Sequence, residues 1–250
     1  MSRALLLPRM YRLAFIAIVF LTFSGNPVFA SSPYQKWAAI VVSGDWHAHD
    51  GRPSEIFDNS RRDVTRDLET LGFARDNIGQ VSARPGSRPP ATASAIRNML
   101  SEISRRARSG CLVYFSSHGS QDGILVGNSI LEPRALARIL DTSCGERPSV
   151  VVVSACFSGV FVPALKAHNR LLITAARRDR TSFGCGQTDR YPYFDQCVLS
   201  VWPHADSFAV LGRRAQICVA AREKREHMNP PSQPQLWIGA DAEKVIPKWR

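Results

Sequence analysis

The sequence lacks the compositional features of fibrous, disordered or linker-rich proteins. Its 16 glycines and 16 prolines are scattered over 250 residues, so there is neither a collagen-like repeat nor an obvious interdomain linker. No low-complexity segment interrupts the chain. With 44% hydrophobic and 21% charged residues, the composition predicts a single domain with a sizeable core.

The sequence also lacks an apolar run of membrane-spanning length. The longest run, Leu13 to Phe23, has about half of the roughly 20 residues that a transmembrane helix needs. Three arginines precede it, and a polar stretch followed by Val28-Phe29-Ala30 comes after it. This order is typical of a signal peptide, with a permanent anchor as the alternative. We therefore expect cleavage after Ala30 and export of residues 31–250 to the periplasm or the exterior, with no stable membrane span after leader removal.

An acidic excess is missing as well. The formal net charge is +11, and residues outside the leader carry 29 basic and 21 acidic groups, which leaves +8. Paired arginines at 61–62, 105–106, 177–178 and 213–214 are spread along the chain without interleaved aromatic residues or a nucleic-acid motif. This distribution favours solvated helix faces over a nucleic-acid groove. Attraction to an anionic envelope surface stays open.

Apolar strands alternate with amphipathic helices along the chain. The strand-like runs are 37–42, 78–81, 111–115, 149–153 and 171–174, with shorter ones at 124–126 and 236–238. Apolar residues recur at helical spacing in 56–71, 96–103, 133–140 and 207–226. Strands that are apolar on both faces and separated by helices predict an α/β fold with a mainly parallel sheet covered on both sides.

Two reactive side chains follow two of these strands. His118 lies three residues past Phe115, and Cys156 lies three residues past Val153. Functional groups gather beyond the carboxyl ends of parallel strands, and consecutive crossover units are usually neighbours. A thiol with a pKa of about 8.5 needs a nearby base to act as a nucleophile. The spacing thus predicts a Cys/His pair, with the amides of Gly119 and Cys156 as oxyanion donors. A buried cysteine and a simple His-Gly turn are the alternative.

The remaining cysteines do not have zinc-site spacing. No Cys-x-x-Cys pair occurs, and none of the six cysteines lies at zinc-finger distance from a histidine pair. Disulfides can form in an exported chain. Cys111 and Cys144 precede the two strands that carry the Cys/His pair, so we expect them to be bridged to each other. Cys185, Cys197 and Cys218 allow three alternative single bridges, and if Cys156 stays reduced one further thiol is left unpaired.

Three ordered motifs resemble the legumain family of cysteine peptidases. Residues 114–120 with 123–126 resemble its histidine motif, 154–159 its nucleophile motif, and 173–185 the stretch that lines its primary specificity pocket. The similarity runs from about residue 37 to 202 and is closest to bacterial members. It implies a caspase-like three-layer sandwich with a mainly parallel central sheet and helices on both faces, a His118–Cys156 dyad, and no metal or organic cofactor. It also implies a single peptidase domain over 31–250, with a catalytic core at about 36–226 and a C-terminal tail at 227–250.

The resemblance does not extend to the residues that read asparagine in plant and animal legumains. Their Arg-His pair corresponds here to Ile56 and Phe57, and the Glu two residues before the nucleophile corresponds to Ser154. An asparagine preference is therefore not implied. Helix capping is an alternative role for Asp195. The candidates for pocket lining are Ser154, Thr181, Ser182 and Asp195.

One loop packs four potential metal ligands into six residues, namely Asp45, His47, His49 and Asp50. Alternation would place the two histidines on one side, as a metal site requires. No third histidine or Glu-x-x-His stands nearby, and such loops often collect Asp and His for turn formation. We therefore expect a turn that can shape the substrate cleft, and no metal site. His168 and His204 are weaker candidates for a catalytic base, because they lack a strand-end position and a flanking glycine.

Together these features predict an exported cysteine endopeptidase that hydrolyses peptide or protein substrates through a thioester acyl-enzyme. A transpeptidase or ligase would use the same dyad with an amine in place of water. A non-catalytic envelope protein that retains the fold for binding is the alternative of a different class. The sequence does not choose the primary specificity residue or the oligomeric state.

Overall fold

The computed structural model describes residues 31–249, and the predicted leader lies outside them. Within that range the chain forms nine strands and seven helices. The strands are β1 (Trp37–Ser43), β2 (Ile78–Ser82), β3 (Gly110–Ser116), β4 (Gly119–Ser120), β5 (Gly123–Val126), β6 (Ser129–Leu131), β7 (Ser149–Ser154), β8 (Arg170–Thr174) and β9 (Gln235–Ile238). The helices are α1 (Ile56–Leu71), α2 (Ala93–Arg106), α3 (Pro133–Cys144), α4 (Phe161–Leu165), α5 (Tyr193–Val201), α6 (Phe208–Arg225) and α7 (Ala242–Val245).

The central sheet has six strands in the order β2-β1-β3-β7-β8-β9. The first five are parallel, and β9 pairs antiparallel with β8. Alternate residues of β1, β3 and β7 enter two separate apolar clusters, one on each face of the sheet. Residues of α1, α5 and α6 complete one cluster, and residues of α2, α3 and α4 complete the other. The predicted α/β sandwich with a mainly parallel sheet is confirmed.

Local sequence signals set the helix ends. α1 begins at Ile56 and ends at Leu71, because Gly72 adopts a left-handed φ of 92° and returns its N–H to carbonyls of the last turn. Thr92 caps the N-terminus of α2, because its hydroxyl accepts a hydrogen bond from the Ala95 amide at 3.1 Å. Pro133 opens α3 at a position where its missing N–H costs nothing.

A small second sheet covers the carboxyl end of β3. It comprises β4, β5 and β6 in antiparallel order. The Gly127 amide donates to the Gly44 carbonyl at 2.8 Å, and this bond connects the small sheet to the loop after β1. Between residues 31 and 249, no helix is both long and apolar enough to cross a bilayer.

Two disulfides are present, one between the sheet and α3 and one between two helices on the opposite face. Cys111 pairs with Cys144 at a Cα–Cα distance of 6.1 Å, as the strand positions predict. Of the three alternatives left open, the structure selects Cys197 with Cys218, which joins α5 to α6. Bridges that close loops of this length each contribute about 2–4 kcal/mol to stability. Cys156 and Cys185 are the two free thiols among the described residues.

Candidate active site

The register of the central sheet determines where His118 and Cys156 lie. β3 and β7 are adjacent and parallel, and their last pair is Ser116 opposite Ser154. Each reactive residue comes two positions after this pair, and the Ser117 amide still donates to the Ser154 carbonyl at 3.1 Å. Both chain segments therefore leave the sheet at the same edge and the same level.

Gly119 lies directly against the turn that carries Cys156. A β-carbon at this position would be 2.4 Å from the Cys156 carbonyl oxygen, so only glycine permits the approach. Gly119 is paired with Ile124, and the Leu125 amide donates to the His118 carbonyl at 2.9 Å. In such a ladder Gly119 occupies the position that exchanges no hydrogen bonds with the partner strand. Its N–H is therefore available to another acceptor.

The Cys156 thiol is held by the backbone of Ser182. The Ser182 amide donates to Sγ at 3.3 Å, and the thiol donates to the Ser182 carbonyl at 3.6 Å. Burial raises the pKa of Cys156 above its ordinary value, and the Ser182 amide partly opposes that shift. The resting thiol is therefore protonated at neutral pH and needs a base to become nucleophilic.

The turn after Cys156 is strained and tied to the stretch 176–182. Phe157 adopts a left-handed conformation with φ 57°, which is uncommon for a residue with a bulky side chain. Its amide donates to the Arg180 carbonyl at 2.8 Å, and the Ser158 hydroxyl accepts from the Ala176 amide at 3.0 Å. Such strain persists only where surrounding contacts enforce it, and it is concentrated at functional sites.

His118 is oriented by the loop after β1. Its Nε2 lies 3.1 Å from the His47 carbonyl, which can only accept a hydrogen bond. Nε2 therefore carries the proton, and in the neutral ring Nδ1 is left as the acceptor. The Asp45 carboxylate lies 3.8 Å from Nε2, and the Phe57 ring packs edge-on at 4.9 Å between ring centroids. The imidazole thus has a defined tautomer and a nearby negative charge.

The loop at 45–50 forms a turn. Asp45 Oδ1 accepts from the Trp46 amide at 2.6 Å and bonds to His47 Nδ1 at 2.9 Å. His49 Nδ1 instead bonds to the Cys185 carbonyl at 3.0 Å, so the two histidines have different partners. In the part of the chain that the structure describes, no group of three or more His, Cys, Asp or Glu side chains could hold a metal ion. Sequence reasoning missed the approach of Asp45 to His118, which joins residues 73 positions apart.

The four candidates for pocket lining divide into two pairs. Ser154 and Asp195 are 2% and 0% exposed, whereas Thr181 is exposed and Ser182 half-buried. Asp195 accepts hydrogen bonds from the Tyr114 and Ser116 hydroxyls, and the Ser154 hydroxyl lies beside the same carboxylate. Burial raises the pKa of Asp195 despite these donors. Asp195 therefore connects the ends of β3 and β7 through hydrogen bonds inside the fold. A contact between Asp195 and substrate stays a prediction.

The other residues singled out from the sequence lie away from these contacts. Ile56 and Phe57 are fully buried, so neither presents a polar group to a ligand. His168 precedes β8 at the amino edge of the sheet, where its ring bonds to Asp241 and Glu146. His204 lies in the turn after α5 and is exposed.

Comparisons with known proteins give one family and one fold. A model of the peptidase C13 family, which is the legumain family, matches residues 95–207. No curated protein matches the sequence. Among the solved structures that match, the crystal structure of caspase-1 from Spodoptera frugiperda has a TM-score of 0.61 and 15% identity, covering 91% of this chain and 94% of that one. The predicted caspase-like fold is confirmed by this neighbour, and the predicted legumain-type resemblance by the family model over residues 95–207.

Proposed function

We propose that this chain, which resembles the peptidase C13 family over residues 95–207, is an exported cysteine endopeptidase with Cys156 and His118 as its catalytic dyad. The observation that carries the proposal is the register of β3 and β7, which brings the two segments to one edge of the sheet. The contact between Gly119 and the Cys156 carbonyl supports it independently. The matched family is a peptidase family, which implies that the substrates are proteins.

In the proposed mechanism, Cys156 Sγ attacks the substrate carbonyl while its proton passes to Nδ1 of His118. The hydrogen bond from Nε2–H to the His47 carbonyl is kept in every step, and it prevents the imidazole ring from flipping. The amides of Gly119 and Cys156 donate to the oxyanion that develops in the tetrahedral intermediate. His118 then gives its proton to the leaving amine, and water releases the acyl group from the thioester.

Asp45 has a positioning role in this mechanism. A carboxylate 3.8 Å from Nε2 favours the charged imidazolium that forms when Cys156 loses its proton. The side chain is itself fixed, because the Trp46 amide and the His47 ring bond to its other oxygen. Asp45 therefore acts through His118 and does not need to touch substrate.

Replacing Asp45 by asparagine should lower kcat about tenfold and leave KM nearly unchanged. The exchange keeps an acceptor for the Trp46 amide but removes the charge that stabilises the imidazolium, and tenfold corresponds to about 1.4 kcal/mol. Steady-state kinetics on one peptide, with the pH profile of Cys156 alkylation, measure the effect. Asp50→Asn is the matched control, because Asp50 lies in the same loop and, among residues 31–249, its carboxylate pairs with Arg52 alone. A change confined to KM would contradict the positioning role.

The specificity pocket is proposed to be lined by Thr181 and Ser182, with Ser154 and Asp195 forming its interior wall. The link of Ser182 to the Cys156 sulfur supports this placement. Since Ile56, Phe57 and Ser154 supply no charge, an amide-reading set of charged residues has no counterpart here.

Export is proposed from residues 1–30, which have the order of a signal peptide and precede a single peptidase domain with a core at about 36–226. Two disulfides are consistent with an oxidising compartment. In a reducing compartment these four cysteines would remain thiols.

A positional-scanning peptide library tests the proposed function on residues 31–250. We expect cleavage of internal peptide bonds and single-site labelling at Cys156 by a thiol electrophile. Adding a primary amine separates the two reactions of the dyad, because acyl transfer places the amine on the product and hydrolysis does not. A silent library with an unreactive Cys156 would instead favour a binding protein that keeps the fold.

A further inference from the structure

A cavity lies at the opposite edge of the sheet from Cys156, beside the last turn of α1. It has a volume of about 250 Å³. α1 follows β1 and runs back along the sheet, so its C-terminal turn reaches the amino edge of the parallel strands. The cavity is lined by Asp67, Thr70, Leu71, Trp202, Pro203 and Trp249.

The two indoles form fixed walls of this cavity. The Trp249 ring N–H donates to the Ala205 carbonyl at 3.0 Å, and its ring packs edge-on against Phe208 at 4.9 Å between centroids. Trp202 also packs edge-on against Phe208, with 6.0 Å between the ring centroids. Its ring N–H is buried and finds no acceptor among residues 31–249. The aromatic walls are thus present before any ligand arrives.

Asp67 is a lone carboxylate in this cavity. Its acidic neighbours on α1 are compensated, since Asp63 pairs with Arg66 and Glu69 with Arg75. No hydrogen bond or ion pair reaches Asp67 within the described part of the chain. Burial, with the negative charge of Asp63 as a smaller cause, raises the pKa of Asp67 to about 6. The group is still mainly ionised at neutral pH, where it is charged without a partner.

The end of α1 adds to the negative potential. A helix C-terminus carries partial negative charge, which a basic side chain in the last turn usually offsets. The last turn of α1 contains no basic residue. The nearby cations are already engaged, because Arg66 pairs with Asp63 and acts on Asp67 only at a distance, and Arg75 pairs with Glu69.

These features together select one kind of ligand. Indole faces attract weakly hydrated organic cations, and a nearby carboxylate strengthens that attraction. Divalent metal ions need several oxygen ligands, whereas this cavity offers a single carboxylate among apolar walls. We propose that the cavity binds an alkylammonium group, as a free amine or as a lysine side chain. The site is separate from the dyad and does not depend on the proposed peptidase function.

An unpaired and partly buried charge also lowers stability, which gives the site a second signature. A carboxyl group whose pKa is raised on folding costs stability above that pKa, where it must be ionised. Asp67→Asn should therefore raise the melting temperature at pH 7 while weakening ammonium binding. A residue with only a structural role would not give this combination, because its loss would lower stability.

Titration of the purified protein by calorimetry and tryptophan fluorescence tests the proposal. The probes are n-butylammonium and Nα-acetyl-lysine methylamide, with 1-butanol and Nα-acetyl-norleucine methylamide as their uncharged counterparts. We expect both ammonium compounds to bind at least about tenfold more tightly than the uncharged ones. Tighter binding of the lysine compound than of n-butylammonium assigns the site to protein side chains, and the reverse order assigns it to free amines.

Variants complete the test. Asp67→Asn should weaken ammonium binding about tenfold or more without lowering the melting temperature, and Trp249→Phe should weaken it to a smaller extent. Glu69→Gln on the same helix should bind like the wild type, as should Cys156→Ala, which keeps this result independent of catalysis. Equal affinity for charged and uncharged probes, no binding by the wild type, or unchanged affinity in Asp67→Asn would each overturn the proposal.

Discussion

Replacing Cys156 by alanine should reduce kcat/KM by about 10⁴-fold or more, because it removes the sulfur that forms the thioester, and the nearby thiol of Cys185 is held protonated by burial. The fold should survive the change. The thiol is half-buried, and its hydrogen bonds go only to the Ser182 backbone. Peptide cleavage, circular dichroism and the melting temperature measure the two parts of this expectation.

Labelling by a thiol electrophile provides the control for that variant. The second free thiol, Cys185, has its pKa raised well above the ordinary value by burial, so it should react slowly. Cys185→Ala should therefore keep the rapid labelling that Cys156→Ala loses. His118→Ala should keep the sulfur but lose the base, with a rate loss of about 10²–10⁴-fold. Full cleavage activity in Cys156→Ala would refute the dyad.

Replacing Gly119 by alanine should lower kcat by about 10²–10³-fold, the cost of losing one oxyanion donor. The added methyl group would lie 2.4 Å from the Cys156 carbonyl oxygen and 2.9 Å from the Ala155 β-carbon. Neither atom belongs to a flexible side chain, so the β4–β5 hairpin must move away from the nucleophile turn. That movement displaces both the Gly119 amide and His118, which precedes it.

Ser120→Ala is the matched control for this variant. Ser120 follows Gly119 in β4, and within the described part of the chain its hydroxyl bonds to the Asp122 amide alone. The control should show kcat within about twofold of the wild type, since surface substitutions of this kind have small effects. Comparing kcat and the melting temperature of the two variants separates a catalytic loss from unfolding. Wild-type kcat in Gly119→Ala would exclude the amide from the oxyanion site.

The sheet was predictable because its strands are apolar on both faces. β1, β3 and β7 are buried along their whole length, and a continuous apolar run is the pattern of a parallel strand covered by helices. α1 was predictable to the residue, since its apolar positions repeat at helical spacing up to Gly72. The neighbouring order of β3 and β7 then determined the position of His118 relative to Cys156.

The contacts that refine the site were not predictable in the same way. α5 is short, follows an irregular loop and buries most of its residues, so it has no amphipathic period to detect. The full burial of Asp195 runs against the usual exposure of carboxylates, and only its hydroxyl partners explain it. The approach of Asp45 to His118 depends on how two distant loops fold over the same sheet edge.

The placement of the disulfides has a practical consequence for handling the protein. A sulfur nucleophile must be kept reduced, but dithiothreitol or phosphine added for that purpose also attacks cystine. Cys111, Cys144 and Cys197 are almost fully buried, whereas Cys218 and Cys156 are both partly exposed. Brief treatment with mild reductant should therefore regenerate the Cys156 thiol while the buried Cys111–Cys144 bridge persists. Cys197–Cys218 should be the first cross-link to open when the treatment is prolonged.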